Sequence, residues 1–145
     1  MNALTDLTGL EVMTLVAAGA LPPPGIATLL GMRLLEVEEG RASFALEPDD
    51  RMLNPIGSVH GGIAATLLDS CMGCAVHTTL PARSSYTTAQ LSLHYVRGMQ
   101  PGMGEVTATG TVLHAGRRQV TAEGRLVDRD GRLLAHGTTT CLVLA

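Results

Sequence analysis

Asn54-Pro55-Ile56-Gly57-Ser58-Val59-His60-Gly61-Gly62 runs into Ile63-Ala64-Ala65-Thr66-Leu67-Leu68 and then into a lone carboxylate, Asp69. A Gly pair ahead of an apolar run predicts a helix start, which puts Asp69 about two turns inside a helix of otherwise core-like composition. Desolvation disfavours an ionised carboxylate there unless polar groups gather round it, so the pattern predicts a buried group that the protein uses.

Working outward, this helix is expected from about Gly62 to Thr79, with Pro81 beyond its end. Upstream, Leu10, Met13, Val16 and Ala17 have helical spacing, and Pro22-Pro23-Pro24 stops that helix. A short helical turn follows at Ile26 to Leu30. Arg33 to Glu38 and Arg41 to Leu46 then read as a hairpin turning at Glu39-Gly40.

Downstream the period changes to two. Thr88, Gln90, Ser92 and His94 alternate with Ala89, Leu91, Leu93 and Tyr95, predicting a strand over Thr87 to Tyr95. Further strands are expected at Glu105 to Leu113, Gln119 to Val127 and, after the Asp130-Gly131 turn, Leu133 to Leu144. A single apolar helix among antiparallel strands has one sensible place, the concave face of their sheet. The expectation is an α+β fold, an antiparallel sheet wrapped around one long central helix. With 145 residues the chain is read as one domain, 1–145, with 1–24 as an N-terminal helical extension.

Composition narrows the function. One Phe, two Tyr and no Trp leave little for stacking on bases, and a net charge of −3 argues against nucleic acid or an anionic membrane as partner. Leu10 to Ala20 is apolar, but Asp6 and Glu11 stand where a secretory signal needs positive charge, so a cytoplasmic enzyme is expected. No run is long enough to span a bilayer. Cys71-Met72-Gly73-Cys74 matches C-x-x-C but lies inside the helix rather than at its N-terminus, and no second pair completes a zinc site. These thiols and Cys141 read as small buried hydrophobes; neither a metal nor a cofactor is expected.

The helix-start segment and the strand after it resemble the hotdog-fold acyl-CoA thioesterases of the phenylacetate-pathway type. The resemblance rests on Asn54, His60-Gly61-Gly62, Asp69 nine residues after His60, and Tyr86-Thr87-Thr88-Ala89-Gln90-Leu91-Ser92-Leu93-His94-Tyr95-Val96-Arg97 with Gly102 beyond. It covers the chain from about residue 25 onward. It implies the hotdog fold, hydrolysis of a small or medium acyl- or aryl-CoA without metal or cofactor, and a homodimer or homotetramer with interfacial active sites. By resemblance Asp69 is the catalytic carboxylate, as nucleophile or as general base on water. The Gly61 N–H is the oxyanion donor, and Asn54 faces the carboxylate across a subunit boundary. His60 orients loop and substrate, and Thr88, next to Thr87, hydrogen-bonds near the carboxylate. Gly62 belongs to the substrate-binding turn. Arg97, Arg117 and Arg118 are candidate contacts for the coenzyme phosphates, although Gly98 stands where many relatives carry Pro after the Arg. Met52, Leu68 and Met72 are candidate linings of the acyl pocket.

The chemistry agrees with this implication. A thioester carbonyl is a good electrophile and a thiolate leaves readily, so one placed carboxylate and preorganised N–H donors suffice. Ser58 lacks the Gly-x-Ser-x-Gly context and the preceding strand of a serine hydrolase. The enzymatic alternative is a hotdog hydratase or dehydratase, which needs a His near the carboxylate that the helix does not supply. The non-enzymatic alternative is an acyl-CoA-binding module, which has no use for a buried carboxylate.

Overall fold

Helix α3 (Gly61–Thr78) forms where the Gly pair places it, one residue earlier at each end than the pattern predicts. Leu67, Leu68, Cys71, Met72, Ala75 and Val76 along it are wholly buried. Each such large apolar side chain contributes roughly 1.5–3 kcal/mol by leaving water.

The structure, a computed structural model, describes residues 3–145. Ahead of α3 lie α1 (Gly9–Ala17), α2 (Gly25–Leu30), β1 (Arg33–Glu38) and β2 (Arg41–Leu46); after it come β3 (Ser85–Tyr95), β4 (Val106–Ala115), β5 (Gln119–Val127) and β6 (Leu133–Leu144). Four strands keep their predicted bounds or nearly so, while β3 begins two residues early and β4 runs two residues further. All six strands join in one antiparallel sheet of order β1-β2-β4-β5-β6-β3, with α3 packed across it. This is the hotdog arrangement. Among the described residues no helix is long and apolar enough to cross a membrane.

Helix α1 is secured by a capping box, in which Thr8 Oγ1 accepts from the Glu11 N–H and Glu11 accepts from the Thr8 N–H. It docks closely on α3, with the Gly9 N–H donating to the Leu80 carbonyl at 3.0 Å.

Three glycines opposite one another, Gly110 on β4, Gly124 on β5 and Gly137 on β6, cross the middle of the sheet. A Cβ on Gly110 would lie 2.5 Å from the Cys71 carbonyl, and one on Gly124 3.0 Å from Met72 Cγ. Bare backbone at Gly110 and Gly124 lets the helix sit down on the sheet, while a Cβ on Gly137 would meet Ser92 and Leu93 of β3.

Strand β3 departs from simple alternation. Its ladder with β6 slips between Thr88 and Gln90, leaving Ala89 as a bulge. Before the bulge Tyr86 and Thr88 face α3; after it Leu91, Leu93 and Tyr95 do. The alternation in sequence had set Thr88 opposite Leu91 and Tyr95, and the extra residue brings them to one side. Strand β3 pairs with β6 alone, so its other edge is open along its length.

Candidate active site

The loop before α3 is tied by its own side chains. Asn54 Oδ1 accepts from the N–H groups of Ile56 and Ser58, each at 3.1 Å, and Asn54 Nδ2 donates to Ser58 Oγ at 2.9 Å. The His60 N–H donates to the Met52 carbonyl at 2.7 Å, and the Val59 N–H to that of Met99 at 3.1 Å. Within one chain Asn54 therefore organises its turn and does not reach Asp69.

His60 is the N-cap of α3, its Nδ1 accepting from the Gly62 N–H at 2.8 Å. That contact fixes the ring with Nδ1 as the acceptor and leaves Nε2 directed away from the helix. The Gly62 amide is thereby taken up by the cap. The Gly61 N–H has no partner among the described residues. Its carbonyl accepts from the Tyr95 hydroxyl at 2.8 Å. An exposed, unpaired N–H at the positive end of an 18-residue helix suits a developing oxyanion.

Asp69 lies two turns further on. Thr88 Oγ1 donates to Asp69 Oδ1 at 2.9 Å, joining strand to helix. The carboxylate is half-exposed and not buried, which corrects the expectation from the helix pattern: the neighbouring β3 is an edge strand and leaves that side open. Beside it a cavity of about 180 Å³ runs between α2, β2, α3 and β3, walled by Ile26, Ala27, Met32 and Phe44. Leu68 and Met72 are in the sealed core and Met52 is buried away from this cavity, so none of the three lines it.

Arg97 lies in a small cleft with Gly61 and Tyr95, its guanidinium donating to the Leu133 carbonyl at 2.9 Å. Arg117 is grouped with Thr79 and Leu80 past the other end of α3, and Arg118 is next to it in the β4–β5 turn. One protomer therefore separates Arg97 from Arg117 and Arg118.

Burial pushes the Cys74 thiol up to about 12 and raises Cys71 as well, as expected of thiols that pack rather than react. Among the described residues no three His, Cys, Asp or Glu side chains gather where they could hold a metal ion. Two tyrosines at the site had no assigned role in the sequence reading, Tyr86 in the cavity and Tyr95 on Gly61. Their signal was composition: the chain has two Tyr, and both fall on β3.

A carboxylate in the wall of a cavity, beside apolar side chains and on a helix whose first amide is free, suits attack on an activated acyl carbon. The comparisons with known proteins specify the class. The family model of the thioesterase superfamily matches residues 56–135. The 1,4-dihydroxy-2-naphthoyl-CoA hydrolase of Listeria monocytogenes is 24% identical over 119 residues, 82% of this chain and 95% of that protein. A phenylacetic acid degradation-related protein of Ralstonia eutropha JMP134 superposes with a TM-score of 0.80 at 30% identity, covering 89% of this chain and 97% of its own. The Escherichia coli PaaI protein, from the phenylacetic acid degradation operon, shares the fold with a TM-score of 0.82 at 19% identity, over 95% and 97% of the two chains. The chain belongs to the thioesterase superfamily and is a thioester hydrolase.

Proposed function

We propose that this protein hydrolyses acyl-CoA thioesters carrying a small or medium acyl or aryl group, with Asp69 as the catalytic carboxylate. The observation that carries the reading is the Thr88 to Asp69 hydrogen bond in the wall of a cavity shared with Ile26, Ala27, Met32 and Phe44. Asp69 attacks the thioester carbonyl itself or takes a proton from the water that does. The carbonyl oxygen gains charge against the Gly61 N–H, the C–S bond breaks, and coenzyme A departs as a thiolate that takes up a proton; where Asp69 is the nucleophile, water then cleaves the acyl–Asp69 anhydride, releasing the acid and restoring the carboxylate.

One protomer does not complete this site. Gly61 and Asp69 are eight residues apart on one helix, which places them about 12 Å apart along its axis, too far to share one carbonyl. We therefore assign each site to two subunits, with Asn54, His60 and Gly61 of one facing Asp69 and Thr88 of the other. The open β3 edge, 11 residues long, supports pairing of two copies of the hotdog domain 1–145, as a homodimer or within a homotetramer. Three unpaired cysteines accord with a cytoplasmic setting.

The test is complementation between two inactive chains, Asp69→Asn and Gly61→Pro. Pro is tolerated at the first helical position and deletes only the amide donor; His60 before it already has the extended backbone that a following Pro requires, with φ −58° and ψ 134°. Mixed oligomers contain one native site per heterodimer if the sites span subunits, so thiol release returns on co-expression. If each site lies within one chain, mixing restores nothing.

A further inference from the structure

The cavity beside Asp69 contains a polar group that the hydrolytic reaction does not use. Asp69 and Thr88, in its wall, hydrogen-bond to each other. Tyr86 lines the same cavity, and its hydroxyl makes no hydrogen bond among the described residues. No buried side-chain nitrogen or oxygen among those residues lacks a partner, so this hydroxyl opens into the cavity and not into packed core. The ring is held in place by His77, with centroids 5.7 Å apart and planes tilted by 45°. Gly73 admits it: a Cβ there would stand 2.8 Å from the Tyr86 oxygen.

Two independent rulers give the distance of Tyr86 from Asp69 and Thr88. Tyr86 precedes Thr88 by two residues on the same face, about 7 Å along the strand. Gly73, against which the hydroxyl rests, is one turn beyond Asp69, about 6 Å along the helix. The phenol therefore lies in the cavity wall roughly one helical turn from the Asp69 carboxylate. Burial raises its pKa, the proximity of Cys74, Cys141 and Asp69 adding to the effect, so it remains an O–H donor at neutral pH.

We propose that Tyr86 is the specificity-determining residue of the acyl cavity, selecting a compact acyl group that ends in a hydrogen-bond acceptor. This rests on the thioesterase reading above. A hydrocarbon terminus would desolvate the phenol and leave it unpaired, and a site built to bond an oxygen discriminates strongly against an analogue lacking it. A cavity of about 180 Å³ does not accommodate a long unbranched chain.

The test is a matched pair of thioesters, 4-hydroxybenzoyl-CoA and its near-isostere 4-methylbenzoyl-CoA, with lauroyl-CoA as the long chain. Wild type is expected to favour the hydroxy compound by at least tenfold in kcat/KM and to turn over lauroyl-CoA most slowly. Tyr86→Phe, which retains the ring, brings the hydroxy-to-methyl ratio to within twofold. An unchanged ratio in Tyr86→Phe, or a wild-type ratio near one, overturns the assignment while leaving the hydrolase reading intact. If no member releases thiol, the hydrolase reading fails instead; calorimetric titration of the same pair then judges Tyr86 by itself, a Kd ratio that collapses in Tyr86→Phe supporting it and an unchanged one overturning it.

Discussion

Thr88 on the sheet edge holds Asp69 on the central helix through a 2.9 Å hydrogen bond from hydroxyl to carboxylate. This contact engages one carboxylate oxygen, Oδ1, and leaves Oδ2 without a hydrogen bond among the described residues. Thr88→Val keeps the shape and removes the donor. A hydrogen bond to a charged group is worth about 1.5 kcal/mol, which corresponds to roughly a tenfold loss in kcat. Steady-state kinetics should show that loss with little change in KM, and Thr88→Ser should recover most of it; equal losses in both variants would deny the hydroxyl this role.

The Thr88 result would also resolve a point that sequence alone could not. Alternation put Thr88 on the face opposite Leu91 and Tyr95, whereas the resemblance put it beside Asp69. In the structure Thr88 stands beside Asp69 and on the same side as Leu91 and Tyr95, because the bulge at Ala89 switches the phase of β3 halfway along and overrides the simple alternation. Nothing local in Thr87-Thr88-Ala89-Gln90 announces an extra residue, since a bulge is fixed by the register that the partner strand imposes. The helix and strand positions were legible because burial imposes a period on each element. The exposure of Asp69 and the position of Gly110, Gly124 and Gly137 were not, because they depend on which strand ends the sheet and which strands touch the helix.

His60 caps α3 through its Nδ1. His60→Ala should lower stability by about 1 kcal/mol, the usual effect of losing an N-cap acceptor, and His60→Asn should retain most of it. Urea denaturation at matched m-values measures the difference; identical midpoints for wild type and His60→Ala would remove the capping role.

Gly110 lies against the helix backbone, with room for no side chain beyond hydrogen. Gly110→Ala must push β4 away from Cys71 and Met72, and overpacking of this kind costs about 1–3 kcal/mol. A lowered melting temperature is expected, whereas Gly98→Ala, with nothing within 4 Å of the new methyl, should melt like wild type.

Burial holds the His77 imidazole below its ordinary pKa. A base whose folded pKa is depressed takes up protons more readily when unfolded, so stability is fully present above the unfolded value, about 6.5. It is lost as pH falls from there toward the folded value. Melting temperatures should therefore drop between pH 7.5 and 5.5, and His77→Gln should flatten that part of the profile. An unaltered slope in the variant would assign the loss to other groups.

The carboxylate mechanism is tested most directly by thiol release from a panel of acyl-CoAs with wild type and Asp69→Asn, each confirmed to form the same oligomer. The substitution keeps the size of the side chain, and Asn can still accept the Thr88 hydrogen bond. The expected result is turnover of at least one compact thioester by wild type and a loss of several orders of magnitude in a variant that remains folded. Comparable thiol release by Asp69→Asn would contradict the mechanism.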